Sequence, residues 1–326
     1  MRRRDGLLFG LFAVVCVALM VGYVALVALR AEPSVSDTGG ATRTLATPGA
    51  LLFRSTDQSR PDKVGEVSIT TAAAPGTNTR RAGLRCDRVY FAAGRGLCLD
   101  SAGAATYVAR ILDKRMRPAA TIRLQGIPSR ARVSPDGRYG SVTSFVAGHS
   151  YAQGTFSTQT LLIDLAGAKV IGDLERFDIR STSGSLDAPD LNLWGTTFTA
   201  DSDRFYATAA SGGSTHLVLG SVSSRSAQVL HDNVECPSLS PSGTRIAYKK
   251  RVGSSRGSWR LTVLDLGSMR ETALAETRSV DDQVEWLDDE RIMYGVDGHV
   301  WIARADGSGA AERYLPNAES PVVIRR

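Results

Sequence analysis

Histidine and cysteine are scarce in this chain, four of each in 326 residues. His149, His216, His231 and His299 are scattered, and no two have the one-turn spacing that holds a metal on a helix. They read as surface or hydrogen-bonded residues, and no metal or cofactor is expected. A G-x-x-x-x-G-K-[ST] phosphate loop is missing, and so is a G-x-G-x-x-G following a strand pattern. The stretch Gly253-Ser-Ser-Arg-Gly257 satisfies G-x-S-x-G, but a nucleophile elbow needs a strand before it, a helix after it, and an acid and a histidine beyond. Here it lies between two strand patterns and reads as a loop. Asp281-Asp282 and Asp288-Asp289-Glu290 are paired acids, the second set in a turn. Asp306-Gly307-Ser308-Gly309 lacks the acids that a calcium loop requires.

Excess charge is also slight. The net charge is +6, but Arg2, Arg3, Arg4 and Arg30 flank one apolar run, opposed there only by Asp5. What remains is close to balanced and makes no case for a nucleic-acid partner. Beyond residue 30 there is no amphipathic helical segment of useful length.

The apolar run itself is the clearest physical signal. It extends from Gly6 to Leu29 without a charge. As a helix it spans a hydrocarbon core of about 30 Å. Basic residues precede it, which predicts a cytoplasmic N-terminus at 1–5, a transmembrane signal anchor at 6–29 and an extracytoplasmic remainder, in a single-pass protein of the cell membrane. A cleaved signal peptide is the rival reading, but its apolar region is normally only about 7–15 residues. Cys16 lies inside the run and faces lipid in this reading. Residues 30–49, rich in Gly, Pro, Ser and Thr, read as a flexible linker.

From residue 50 onward, short β-branched and aromatic runs alternate with Gly, Asp, Asn and Ser, the signature of strands and turns. Four segments align: 132–145 (RVSPDGRYGSVTSF), 197–210 (TFTADSDRFYATAA), 237–250 (PSLSPSGTRIAYKK) and 285–295 (EWLDDERIMYG). Each reads as a strand, a tight polar turn and a second strand. In Ser134-Pro135-Asp136-Gly137 proline presets φ, the acid bonds back to the backbone and glycine accepts positive φ. A third strand follows at 160–166, 216–222, 260–267 and 299–307, and a weaker fourth, as at 169–174 and 270–275. Four antiparallel strands make a propeller blade. The later turn intervals fit a period of about 40–45 residues, and the longer interval between Ser134 and Thr199 implies inserted residues.

Upstream, 86–100, 107–112 and 120–124 supply a further blade. Before it, 51–55, 66–71 and 77–81 supply only three strands. Asn317-Ala-Glu-Ser-Pro-Val matches Asn233-Val-Glu-Cys-Pro-Ser, which opens the fifth blade. Residues 321–325 are therefore expected to return as the innermost strand of blade one and close a ring of six.

The Ser-Pro-Asp-Gly turn with Arg-Tyr after it, the LTVLDL third strand and the Ala-Asp-Gly-Ser-Gly turn resemble TolB-like propeller repeats over roughly residues 50–326. The resemblance implies an all-β, six-bladed propeller of four-stranded antiparallel blades. That group includes periplasmic scaffold proteins and the propeller domains of certain peptidases.

The meander also orders the loops. Links from strand one to two and from three to four share one face, and those here are tight. Links from two to three, and from blade to blade, share the other face. The long segments 55–65, 146–158, 175–195 and 251–258 all belong to this second set. They carry the exposed aromatic candidates Tyr151, Phe156 and Trp194 and the basic residues Arg60, Lys63, Arg251 and Arg256. Long loops on a rigid scaffold are where binding concentrates. Two functions follow: a binding or scaffolding module for a protein, peptide or cell-envelope polymer, and an envelope hydrolase or lyase working at the channel mouth. First strands offering mainly Ser, Thr, Val and Leu favour binding. Cys86 and Cys98 fall on neighbouring strands in a compartment that permits disulfides, and their diagonal placement leaves bonded and free states both open. Cys236 reads as a buried free thiol.

Overall fold

The computed structural model describes residues 49–325 apart from 104, 147–156, 183 and 254–256. The apolar run 6–29 and almost all of the linker lie outside the described residues, as do Tyr151, Phe156 and Arg256. Among the described residues no helix is long and apolar enough to cross a membrane.

Six sheets form, one per blade. From the inside outward, blade two is Arg88–Ala92, Arg95–Ser101, Tyr107–Leu112 and Pro118–Leu124. Blade three is Ile127–Val133, Tyr139–Val146, Ser157–Asp164 and Lys169–Asp173. Blade five is Glu235–Leu239, Arg245–Arg251, Trp259–Asp265 and Glu271–Ala273. Blade six is Glu285–Trp286, Arg291–Val296, His299–Arg304 and Glu312–Leu315. In blade one the innermost strand is the C-terminal Ala318–Ile324, followed outward by Ala50–Ser55, Glu66–Thr71 and Arg80–Arg85. Its register pairs Ala50 with Ile324 and Leu52 with Val322, so the two ends of the propeller share one sheet, as the Asn317 repeat implies. The repeat extends to backbone conformation. Asn233 and Cys236 have φ of 57° and 50°, and Asn317 and Ser320 have 51° and 50°.

Blade four departs from the expected four strands. Asn192–Phe198, Arg204–Ser211, Ser214–Ser221 and Ser226–Asp232 form the expected unit. The segment 175–195, a long loop by its sequence pattern, instead contributes Asp178–Ser181 and Gly184–Ser185 as two further outer strands. Asp178–Ser181 runs parallel to the Ser226–Asp232 strand, so this sheet has six strands. A segment that reaches a sheet edge from the preceding blade arrives in either direction, which a repeat pattern does not encode.

Blades stack face to face, so an inner strand is covered on both sides and an outer strand is not. Asn192–Phe198 is buried at every position, whereas Pro118–Leu124 is mostly exposed. The core divides accordingly into six apolar clusters among the described residues, one per seam between neighbouring blades. Strand-one-to-two turns repeat one set of bonds. Gly137 N–H donates to Ser134 O at 2.9 Å, Ser202 N–H to Thr199 O at 3.0 Å and Gly243 N–H to Ser240 O at 2.9 Å. Gly137 and Gly243 sit at φ near 72° and 73°, where a side chain is disfavoured.

Cys86 and Cys98 are joined by a disulfide, with Cα atoms 5.4 Å apart. Cys86 lies just before the Arg88–Ala92 strand rather than within it, and Asp87 N–H donates to Leu99 O at 2.7 Å, which brings the two cysteines together. Cys236 is free and buried.

Candidate ligand-binding cleft

The centre of the ring is filled by side chains from its inner strands. Arg132 and Glu285, both buried, form an ion pair at 3.7 Å. The Arg132 guanidinium also donates to Val284 O at 2.7 Å and stacks 4.6 Å from the Tyr90 ring centroid. Arg325 pairs with the other Glu285 oxygen at 2.8 Å, so the C-terminal strand is fastened to blade six. Gln283 bridges blades by donating to Thr196 O at 3.1 Å and Pro237 O at 2.8 Å. The sequence predicts mainly small polar and aliphatic side chains here. Arg132 and Glu285 stood in the aligned repeats but carried no signal that they point to the axis.

A cleft of about 740 Å³ opens beside this plug. Its walls come from blades three, four and five: the starts of inner strands (Arg130, Trp194, Glu235), the ends of second strands (Phe145, Lys249, Arg251) and the start of a third (Trp259). That set of strand ends defines the face carrying the long links. A second, smaller cavity of about 450 Å³ on the same face lies between blades one and six, where Thr56 donates to Gly298 O at 2.7 Å.

Trp194 and Arg251 of the sequence candidates line the main cleft, and Tyr151, Phe156 and Arg256 lie outside the described residues. Trp194 requires correction. It is not on an exposed loop but in the inner strand of blade four, with only 8% of its surface exposed. Its strand approaches blade five so closely that a Cβ on Gly195 would lie 2.6 Å from the Cys236 Cα. Arg251 ends a second strand and pairs with buried Glu235 at 2.8 Å. Arg60 and Lys63 are also tied into ion pairs, with Asp57 and Glu66.

Asp281, one of the paired acids, meets two residues that the sequence did not single out, Arg130 and Lys249, in a polar cluster of the cleft. Asp281 bridges Arg130 at 3.2 Å and Lys249 at 2.6 Å. The Lys249 side chain is only 4% exposed and its ammonium lies 4.0 Å from the Trp259 ring centroid. Asp281 itself stays 64% exposed at the cleft mouth. Partial burial opposes its charge, but the nearby Lys249 and Arg130 outweigh that and hold its carboxyl below the usual range. The doubled basic pair Lys249-Lys250 was the available signal: strand alternation sends one inward, where it needs a carboxylate.

The blade-three wall is set by Glu175, which accepts from Thr160 N at 2.9 Å, Thr158 Oγ1 at 3.1 Å and Leu193 N at 3.1 Å. Burial, reinforced by Asp173, raises its carboxyl to about 8 despite those donors. Asn192 Oδ1 accepts from Thr158 N at 2.7 Å and locks the same junction. The cleft therefore offers aromatic surface from Trp194, Trp259 and Phe145 beside paired charges, an arrangement suited to holding a ligand with both apolar and polar groups.

Among the described residues no cluster of three or more His, Cys, Asp or Glu could hold a metal. His216 pairs with Asp232 at 2.6 Å, His231 with Glu271 at 2.9 Å, and His299 accepts from Asn317 N at 2.9 Å.

By sequence, neither a family model nor a curated protein matches the chain. By structure, TolB from Acinetobacter baumannii superposes with a TM-score of 0.58 and 15% identity, over 85% of this chain and 67% of that one. The chain has the TolB-like β-propeller fold. A chain of the crystallised nidogen/laminin complex is similar to this TolB-like propeller too, with a TM-score of 0.56, 11% identity, and 84% and 97% of the two chains covered.

Proposed function

We propose that this protein is a membrane-anchored, extracytoplasmic binding propeller that docks a protein, peptide or cell-envelope ligand in the cleft of blades three to five. The observation that supports it most is the coincidence of that cleft with the face bearing the long links, while the chain enters the propeller on the other face. Ala50 pairs with both Ile324 and Thr71, which places the start of the domain among the tight turns. That a chain of this fold was crystallised in a nidogen/laminin complex supports a protein as the ligand.

A photo-crosslinking residue at Phe145 or Arg251 of the full-length chain, expressed in cells, is expected to trap a discrete envelope partner. The same residue at Ser242, in a tight turn, is not. Crosslinks from Ser242 alone would overturn the choice of face. A periplasm-active reporter fused after Arg326 is expected to be active, and activity of a cytoplasm-only reporter would overturn the topology.

A further inference from the structure

Charge in the main cleft cancels. Its described lining carries three basic residues, Arg130, Lys249 and Arg251, against three acids, Asp190, Glu235 and Asp281. Glu235 and Asp281 are ion-paired there, at 2.8 Å to Arg251 and 2.6 Å to Lys249. Asp190 instead accepts from Gly212 N at 2.8 Å and from the Ser211 hydroxyl at 2.8 Å. Those donors hold its carboxyl below the usual range, so it keeps its charge. A lining balanced in this way exerts no net pull on an ion of either sign. A charged ligand would also have to compete with partners already in place.

Aromatic surface enters the same cleft from three blades. Phe145 stands on the blade-three wall with 41% of its surface exposed, Trp194 on the blade-four wall and Trp259 on the blade-five wall. Gly257, also in the lining, lies beside the Trp259 indole. A Cβ there would sit 3.6 Å from the ring, so the missing side chain leaves room against it.

These features together narrow the ligand. A folded domain does not enter a recess of about 740 Å³, which is the size of a site for a small molecule or a segment of chain. An acyl chain would strip water from the ion pairs and return no hydrogen bond. A sugar ring has a C–H face that packs on an aromatic ring, and hydroxyls around its rim that both donate and accept. Such hydroxyls can use Arg251 and Asp281, the more exposed members of their ion pairs, without breaking either pair. We propose that the cleft binds an uncharged glycan, its rings packed on Phe145 and Trp259 and its hydroxyls bonded to Arg251 and Asp281. This inference rests on the cleft being the ligand site and names the class of ligand.

The test titrates the full-length chain in phosphatidylcholine nanodiscs with uncharged hexasaccharides of glucose, mannose, arabinose and N-acetylglucosamine, read by tryptophan fluorescence. At least one is expected to give a saturable change that is the same at low and high salt, because an uncharged ligand has no charge to screen. A hexamer of galacturonic acid is expected not to bind. Phe145→Ala, changed at an exposed position, is expected to weaken binding about tenfold with the melting transition intact. Trp259→Ala should do the same, and Trp259→Phe, which keeps a ring, should retain most of the affinity. No binding by any neutral hexamer, tighter binding of the galacturonate hexamer, or binding indifferent to both alanine variants overturns the proposal. The crosslink from Phe145 described above is the separate readout for the cleft. A protein or peptide trapped there with no glycan bound refutes the glycan alone, and neither a crosslink nor glycan binding refutes both.

Discussion

Truncation before Asn317 removes the strand that closes the ring, and its cost can be worked from the seams it serves. Val322 and Ile324 pack into the cluster between blades one and two, while Ala318 and Val323 pack into that between blades six and one. One strand thus supports two interfaces. Burying a Val or Ile side chain contributes about 1.5–3 kcal/mol, so Val322, Val323 and Ile324 account for about 5–9 kcal/mol before any hydrogen bond is counted. The truncation also strips the ladder partners of Ala50–Ser55 and removes the Arg325 partner from Glu285, a buried acid. A domain is typically stable by only about 5–15 kcal/mol. The expected outcome is loss of cooperative unfolding, seen as a broad, sloping thermal transition by circular dichroism with increased binding of an apolar dye. A milder change bounds the argument. Val322→Ala should cost about 2 kcal/mol and lower the melting temperature by several degrees while the transition stays sharp. A truncated protein with the melting transition of the full chain would refute ring closure by this strand.

Glu276 is buried and accepts from the Arg278 guanidinium, from Arg278 N and from the Tyr294 hydroxyl. Burial works against its charge, yet those donors hold its carboxyl at about 2. Because the folded value lies below the unfolded one, its contribution of ~3 kcal/mol is present above about pH 4.5 and lost as pH falls toward 2. Glu276→Gln should therefore be less stable than the parent at neutral pH, with the gap in denaturation midpoint closing below about pH 3; a gap that is constant with pH would count against it. Reducing the Cys86–Cys98 bond, which closes a loop of sequence separation 12, should cost about 3 kcal/mol and be mimicked by Cys98→Ser, and an unchanged urea midpoint would refute that. Trp194→Ala should lower both stability, by about 3–4 kcal/mol, and capture of the cleft partner, whereas unaltered thermal stability would show that its burial contributes little.

The architecture was open to reading from the sequence because its determinants are local and repeated. Turn chemistry at Ser134, Thr199 and Ser240 fixes where strands fold back. Even the long-range closure was legible, because Asn317-Ala-Glu-Ser-Pro repeats Asn233-Val-Glu-Cys-Pro and both adopt the same two positive-φ residues. The loop-rich face followed from the meander alone. What only tertiary structure decided are the features made by different blades meeting. Trp194 lies in an inner strand that approaches blade five closely at Gly195, and no local pattern reports that approach. Asp281, Arg130 and Lys249 come from blade six's approach, blade three and blade five, so their convergence has no signature in any one stretch of chain. The pairing of Asp178–Ser181 with blade four depends on a neighbouring edge being free to accept it. Local propensity specifies a blade, but the cleft is made where blades three, four and five meet, and no single stretch of chain encodes that meeting.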